Sequence, residues 1–135
     1  MDLSTQLALA PLAHLVGDYL LQTTWMARGK PHRWWPAVVH GIVYTLPFAL
    51  LTQAPFVLLA ISGTHIVIDR FRLARRVIWA VNQVAPKEYR YPWSQARRNE
   101  GFALDTSRGL AQALRIVCDN AIHLVINAAA LVWLA

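Results

Sequence analysis

Four long apolar runs, separated by polar stretches, dominate the pattern of this 135-residue chain. They cover residues 3–27, 37–51, 56–68 and 110–134. A helix that crosses a bilayer needs about 20 apolar residues, which the first and last runs supply and the middle two approach. The pattern predicts an all-α polytopic membrane protein of one domain. Its helices are expected at about residues 3–27, 36–52, 55–83 and 109–135, with a basic loop at about 84–108.

The two middle runs are joined by a short segment that ends in Pro55, a residue suited to the first turn of a helix. We therefore expect them to form a helical hairpin. Because both runs are short, a re-entrant pair that enters and leaves the membrane on one side is the alternative.

The basic residues support four spans. All 13 Lys and Arg residues lie between the first and second runs or between the third and fourth, or at the edges of these regions. Four spans place both regions on one side, which the positive-inside rule makes cytoplasmic. This predicts a bacterial inner-membrane protein with both termini outside the cytoplasm. The net charge of +6 is then a topology signal, and no nucleic-acid partner is expected.

Composition agrees with a membrane protein, because 56% hydrophobic and 15% charged residues are unusual for a soluble domain. The single cysteine, Cys118, excludes an intrachain disulfide. We expect a packed thiol there, and a metal role beside Asp119 is the alternative. No basic segment precedes the first apolar run, so we expect a retained helix rather than a signal peptide.

Three pairs of ionisable residues lie four positions apart within or beside the apolar runs. Residues at this spacing share one face of a helix, and ionisable groups in hydrocarbon are costly enough to indicate a function. The pairs are His14 and Asp18, His65 and Asp69, and Asp119 and His123. His40, near the start of the second run, is expected at a similar depth.

Neutral imidazole and carboxylate are suitable ligands for zinc, manganese or iron. The sequence therefore predicts a site for one or two divalent ions, with zinc preferred. The predicted ligands are His14, Asp18, His40, His65, Asp69, Asp119 and His123. Asp18, Asp69 and Asp119 are also the candidate catalytic residues, as bridging ligands or general bases. Two alternatives are hydrogen-bonded pairs that only hold helices together and a proton or ion relay.

Neighbouring residues extend the candidate site. Gln22, Tyr44 and Asn127 each lie four residues beyond a predicted ligand and could orient the imidazoles or carboxylates. Three small residues, Gly17, Gly41 and Gly63, are expected to let helices approach closely. His32, among basic residues and tryptophans, is expected at the surface.

The polar loop at residues 85–109 mixes arginines with Tyr89, Tyr91 and Trp93. It could form a lid that presents cations to a phosphate-bearing substrate. Contact with anionic lipid is the other explanation for most of these arginines.

The segment AHLVGDYLLQTTWMARGK resembles the opening signature of an uncharacterised family of small bacterial and phage membrane proteins. The later segments VVHGIVYT, THIVIDRFR and CDNAIHLV are similar to further His/Asp blocks of that family. The resemblance implies a polar site without naming its reaction. A looser likeness to inner-membrane metal-dependent hydrolases is an analogy only.

These observations favour a metal-dependent hydrolase that acts on a phosphorylated lipid or another anionic substrate at the cytoplasmic leaflet. The metal would lower the pKa of a water molecule to supply a nucleophile. Membrane lipids and a second copy of the chain are the other expected partners. A transporter that uses the same residues and a non-catalytic membrane interaction protein are the alternatives.

Overall fold

The computed structural model describes residues 1–135 and is entirely helical, which confirms the all-α prediction. Seven α-helices follow one another: α1 (Leu3–Leu15), α2 (Thr24–Gly29), α3 (Trp34–Ala49), α4 (Pro55–Phe71), α5 (Leu73–Asn82), α6 (Trp93–Ala96) and α7 (Arg108–Trp133). A π-helical segment, Val16–Leu20, continues α1, and a 3-10 turn, Lys87–Tyr89, lies between α5 and α6.

The prediction of four membrane-spanning helices is wrong. α3 has 16 residues and α4 has 17, and both are shorter than the roughly 20 residues of a span. By length and composition only α7, with 26 residues, could cross a membrane, and the core helix of a soluble protein would pass the same test. A multi-pass inner-membrane topology is therefore not supported.

The first apolar run does not form one helix. The backbone N–H of Leu21 donates to the carbonyl of Val16 at 3.0 Å, which is π-helical spacing. Residues 21–23 lie outside any helix, and the Thr23 side chain then caps α2 by accepting a hydrogen bond from the Met26 N–H. Apolar residues continue up to this interruption and resume after it, so the hydropathy pattern did not reveal it.

The predicted helix 55–83 is divided at Arg72. This residue has a φ of 50° and lies in the left-handed region, where a residue other than glycine is disfavoured by about 1–2 kcal/mol. A right-handed helix cannot continue through this conformation, so α4 ends at Phe71 and α5 begins at Leu73.

The chain forms two compact units, Met1–Phe71 with His123–Ala135, and Arg72–Ile122. In the first unit the core includes Tyr44, Phe48, Ile61 and Leu131. In the second unit the Tyr91 hydroxyl donates to the carbonyl of Gly101 at 2.9 Å. The candidate site lies in the first unit.

Candidate metal centre

Four ionisable side chains from three helical segments meet in the interior of the first unit. We call these residues the tetrad: Asp18, His40, His65 and Asp69. Asp18 comes from the π-helical segment, His40 from α3, and His65 and Asp69 from successive turns of α4. All four are buried, and one ligand atom from each lies within 4.8 Å of the others.

Close backbone approach brings these segments together. A Cβ atom built on Gly17 would lie 2.7 Å from the carbonyl oxygen of Tyr44, so only glycine lets the π-helical segment pack this closely against α3. A Cβ atom on Gly41 would collide with the Ile66 side chain, so this glycine brings α3 against α4. Gly63 has open space around it and does not serve such an approach, contrary to expectation.

The distances within the tetrad match a metal site. The Nε2 atoms of His40 and His65 lie 2.9 Å apart. His40 Nε2 is 3.1 Å from Asp18 Oδ1 and 3.5 Å from Asp69 Oδ2. His65 Nε2 is 3.7 Å from Asp18 Oδ1 and 3.1 Å from Asp69 Oδ2. Four ligands at about 2.0–2.1 Å from a tetrahedral zinc ion lie about 3.3 Å from one another, within this range.

The protonation states are also those of metal ligands. Burial raises the pKa of Asp18, but the hydrogen bond with His40 and the charge of Lys30 outweigh it and lower the pKa to about 2. Burial also raises the pKa of Asp69, and its histidine and Lys30 neighbours leave it well below its usual range. Burial lowers the pKa of His65 to about 4 against the opposing effect of Asp69. At neutral pH both carboxylates are ionised and His65 is neutral, as metal ligation requires.

The two tetrad histidines lack the Nδ1 partner that usually orients a metal-binding imidazole. The buried Nδ1 atoms of His40 and His65 have no hydrogen-bond partner. If Nδ1 carries the proton, each Nε2 lone pair points into the tetrad and can bind a metal. An unsatisfied buried N–H costs about 1–3 kcal/mol, which metal ligation by Nε2 would offset.

Lys30 is a member of the site that the sequence did not identify. Its Nζ lies 2.6 Å from Asp69 Oδ2, 3.5 Å from Asp18 Oδ1 and 3.2 Å from His40 Nε2. In the sequence it stands between Arg28 and Arg33 and looks like one more surface cation. Only the short helix α2 and the turn after it direct this one side chain inward.

Hydrogen bonds next to the tetrad involve two of the three residues that the sequence offered as supporting partners, Tyr44 and Asn127. The Tyr44 hydroxyl accepts a hydrogen bond from Asn127 Nδ2 at 2.6 Å and lies 2.9 Å from His14 Nδ1. The Tyr44 ring also stacks on the His65 ring, with centroids 3.6 Å apart and planes at 13°. The third residue, Gln22, has a buried Oε1 without a hydrogen-bond partner.

The remaining predicted ligands occupy different places. His14 is buried against Tyr44. His123, on α7, places Nε2 3.4 Å from Asp69 Oδ1, the carboxylate oxygen that the tetrad does not use. Asp119 lies on α7 four residues before His123, is partly buried and belongs to the second unit. His32 is exposed, and the Cys118 thiol is a free cysteine whose pKa is raised by burial.

A helical protein with a buried carboxylate and imidazole tetrad that could hold a metal ion is the class that the fold and site define. Residues 7–135 match the family described as "Protein of unknown function (DUF3307)", and the chain belongs to this family. No curated protein and no solved structure is significantly similar to the chain. The family description names no reaction, so a function must be argued from the site.

Proposed function

We propose that this protein binds a divalent metal ion at the tetrad and uses it to hydrolyse an anionic substrate. The observation that carries the proposal is the convergence of two carboxylate oxygens and two imidazole nitrogens within 4.8 Å. Side chains that only hold helices together can be satisfied in pairs. Here four ligand atoms face one another, and a cation between them would stabilise all four at once.

Zinc fits the donor set best. The tetrad offers two nitrogen and two oxygen ligands at distances typical of a tetrahedral site, and manganese or iron would accept the same atoms. A second ion would use Asp69 Oδ1 and His123 Nε2, which lie 3.4 Å apart.

The chemistry of such a site is hydrolysis. A divalent ion held by all four tetrad ligands would need a fifth, open position for a water molecule, whose pKa it would lower to supply a nucleophile near neutral pH. Asp18 and Asp69 would hold the ion and accept protons. A cavity of about 550 Å³ in the same unit supports an anionic substrate, because Arg28, His32 and Arg33 line it and no acidic residue does.

The outer surface of the first unit supports a membrane location with lipid as a partner. Leu20, Leu50, Phe56 and Leu59 are between 68% and 82% exposed, whereas the ionisable tetrad is buried. Contact with lipid would cover these apolar side chains.

Metal content tests the proposed function. We expect about one or two equivalents of zinc, manganese or iron in the purified protein, measured by elemental analysis. His65→Ala and Asp69→Asn should lose most of this metal, because each removes one tetrad ligand. His32→Ala is the matched control and should retain it, since His32 is exposed and lies outside the tetrad. Wild-type protein without metal after reconstitution, or His65→Ala with full metal content, would contradict the proposal.

A further inference from the structure

The Lys30 ammonium contacts three of the four ligand atoms of the tetrad. Nζ is within 3.5 Å of Asp18 Oδ1, His40 Nε2 and Asp69 Oδ2. The Lys30 side chain is only 16% exposed, so it is held at the site rather than extended into solvent. An ammonium group has three donors and no acceptor; both carboxylate oxygens can accept from it, and so can His40 Nε2 in the tautomer that carries its proton on Nδ1.

A divalent ion would need the same lone pairs. Metal ligation uses the carboxylate oxygens and the Nε2 lone pair of His40, which are the atoms that Lys30 contacts. His40 Nε2 has a single lone pair, so it can bind a metal only if the ammonium that contacts it at 3.2 Å moves away.

Charge balance leads to the same conclusion. The two buried carboxylates carry two negative charges, and a buried charge without a partner is strongly destabilising. Lys30 offsets one of them when no metal is bound, whereas a divalent ion offsets both. With both cations in place the site would hold three positive charges against two, and the like charges would repel at short range.

We propose that Lys30 is a built-in substitute cation, which holds the tetrad together without metal and is displaced when a divalent ion binds. This inference rests on the proposed metal site and adds a regulatory element to it. The ammonium keeps the carboxylates in position for the ion. It also sets a threshold, because an ion that binds weakly cannot displace it.

Lysine reactivity tests the displacement in the unaltered protein. Lys30 and Lys87 are the only lysines, and Lys87 is exposed, so it serves as an internal reference. Metal-stripped protein is titrated with zinc, treated briefly with an amine-acetylating reagent, and analysed by peptide mass spectrometry. We expect the ratio of Lys30 to Lys87 acetylation to rise at least about threefold and to level off when the metal site is full. A ratio that stays constant or falls while zinc binds would overturn the inference and leave the metal site intact.

A pair of matched variants gives a second readout. Lys30→Met should bind zinc about tenfold more tightly than wild type by competition with a chelating dye, because the competing cation is gone. Lys87→Met removes the same charge from an exposed position and should bind zinc as wild type does. Unchanged or weaker binding by Lys30→Met would contradict displacement. Absence of zinc binding in wild type and both variants would overturn the proposed function and this inference together.

Discussion

Tyr44 connects three residues of the site that come from three different helices. It is fully buried, its hydroxyl contacts His14 and Asn127, and its ring stacks on His65. The hydroxyl joins three segments through hydrogen bonds, and the ring fixes the plane of a tetrad imidazole. Residues that orient ligands in this way tune metal affinity without touching the metal.

Tyr44→Phe separates these two roles, because phenylalanine keeps the ring and loses the hydroxyl. We expect the free energy of unfolding to fall by about 1–3 kcal/mol, since Asn127 Nδ2 and His14 Nδ1 lose a buried partner. Chemical denaturation of both proteins in detergent measures the difference. Tyr89→Phe is the matched control at an exposed position and should change stability by less than about 0.5 kcal/mol. Equal effects of the two substitutions would show that the hydroxyl network does not stabilise the fold.

The types and spacing of the histidines and aspartates predicted much of the candidate site. The contact of Lys30 with that site could not have been predicted in this way. The spacing of His65 and Asp69 placed both on one helical face, and the structure brings His65 Nε2 within 3.1 Å of Asp69 Oδ2. Lys30 lies in a basic segment where hydropathy and charge indicate a surface position. Its direction depends on where α2 ends relative to α3 and α4, which no local pattern encodes.

At the scale of elements, the tetrad depends on how closely the π-helical segment packs against α3. Asp18 lies in that segment, and Gly17 beside it is in contact with the backbone of Tyr44. π-Helical turns occur frequently at functional sites because they shift side chains relative to a regular α-helix. Here the segment directs Asp18 toward His40.

Two glycine substitutions test this packing. Gly17→Ala places a Cβ atom 2.7 Å from the Tyr44 carbonyl oxygen, and because backbone cannot rotate away, we expect a loss of about 1–3 kcal/mol in stability. The displacement should also move Asp18 from His40 and weaken zinc binding. Gly63→Ala has no atom within 4 Å and should be neutral or stabilising by up to about 1 kcal/mol, since alanine favours helix. Chemical denaturation and zinc titration of both variants measure these effects. A Gly17→Ala protein as stable as Gly63→Ala would contradict the assigned close approach.

At the scale of the whole molecule, the polar and apolar residues of the first unit are distributed in an unusual way. Its interior contains ionisable histidines and carboxylates, and its surface carries many exposed large apolar side chains. This distribution suits a protein whose outer surface contacts lipid, and it supports the proposed membrane location without requiring four spanning helices.

Alkaline carbonate treatment of cell membranes tests the proposed membrane location. We expect the expressed protein to remain in the membrane pellet after an alkaline carbonate wash and to be released by detergent, because apolar contact with lipid does not depend on salt or pH. Immunoblotting of both fractions measures the distribution, with a peripheral membrane protein of the same cells as the control that washes off. A monomer that stays in solution without detergent would contradict a membrane location.

The sequence by itself determined the helical class and most of the candidate ligands, because helical periodicity and residue chemistry are local properties. The sequence predicted too few interruptions of the helices. Hydropathy is the same with or without the π-helical turn after Leu15 and the left-handed conformation at Arg72. Only the tertiary structure decided that Asp18, His40, His65 and Asp69 form the tetrad and that Lys30 joins them. These contacts join residues up to about 50 positions apart, so they depend on how the π-helical segment, α3 and α4 pack around Gly17 and Gly41.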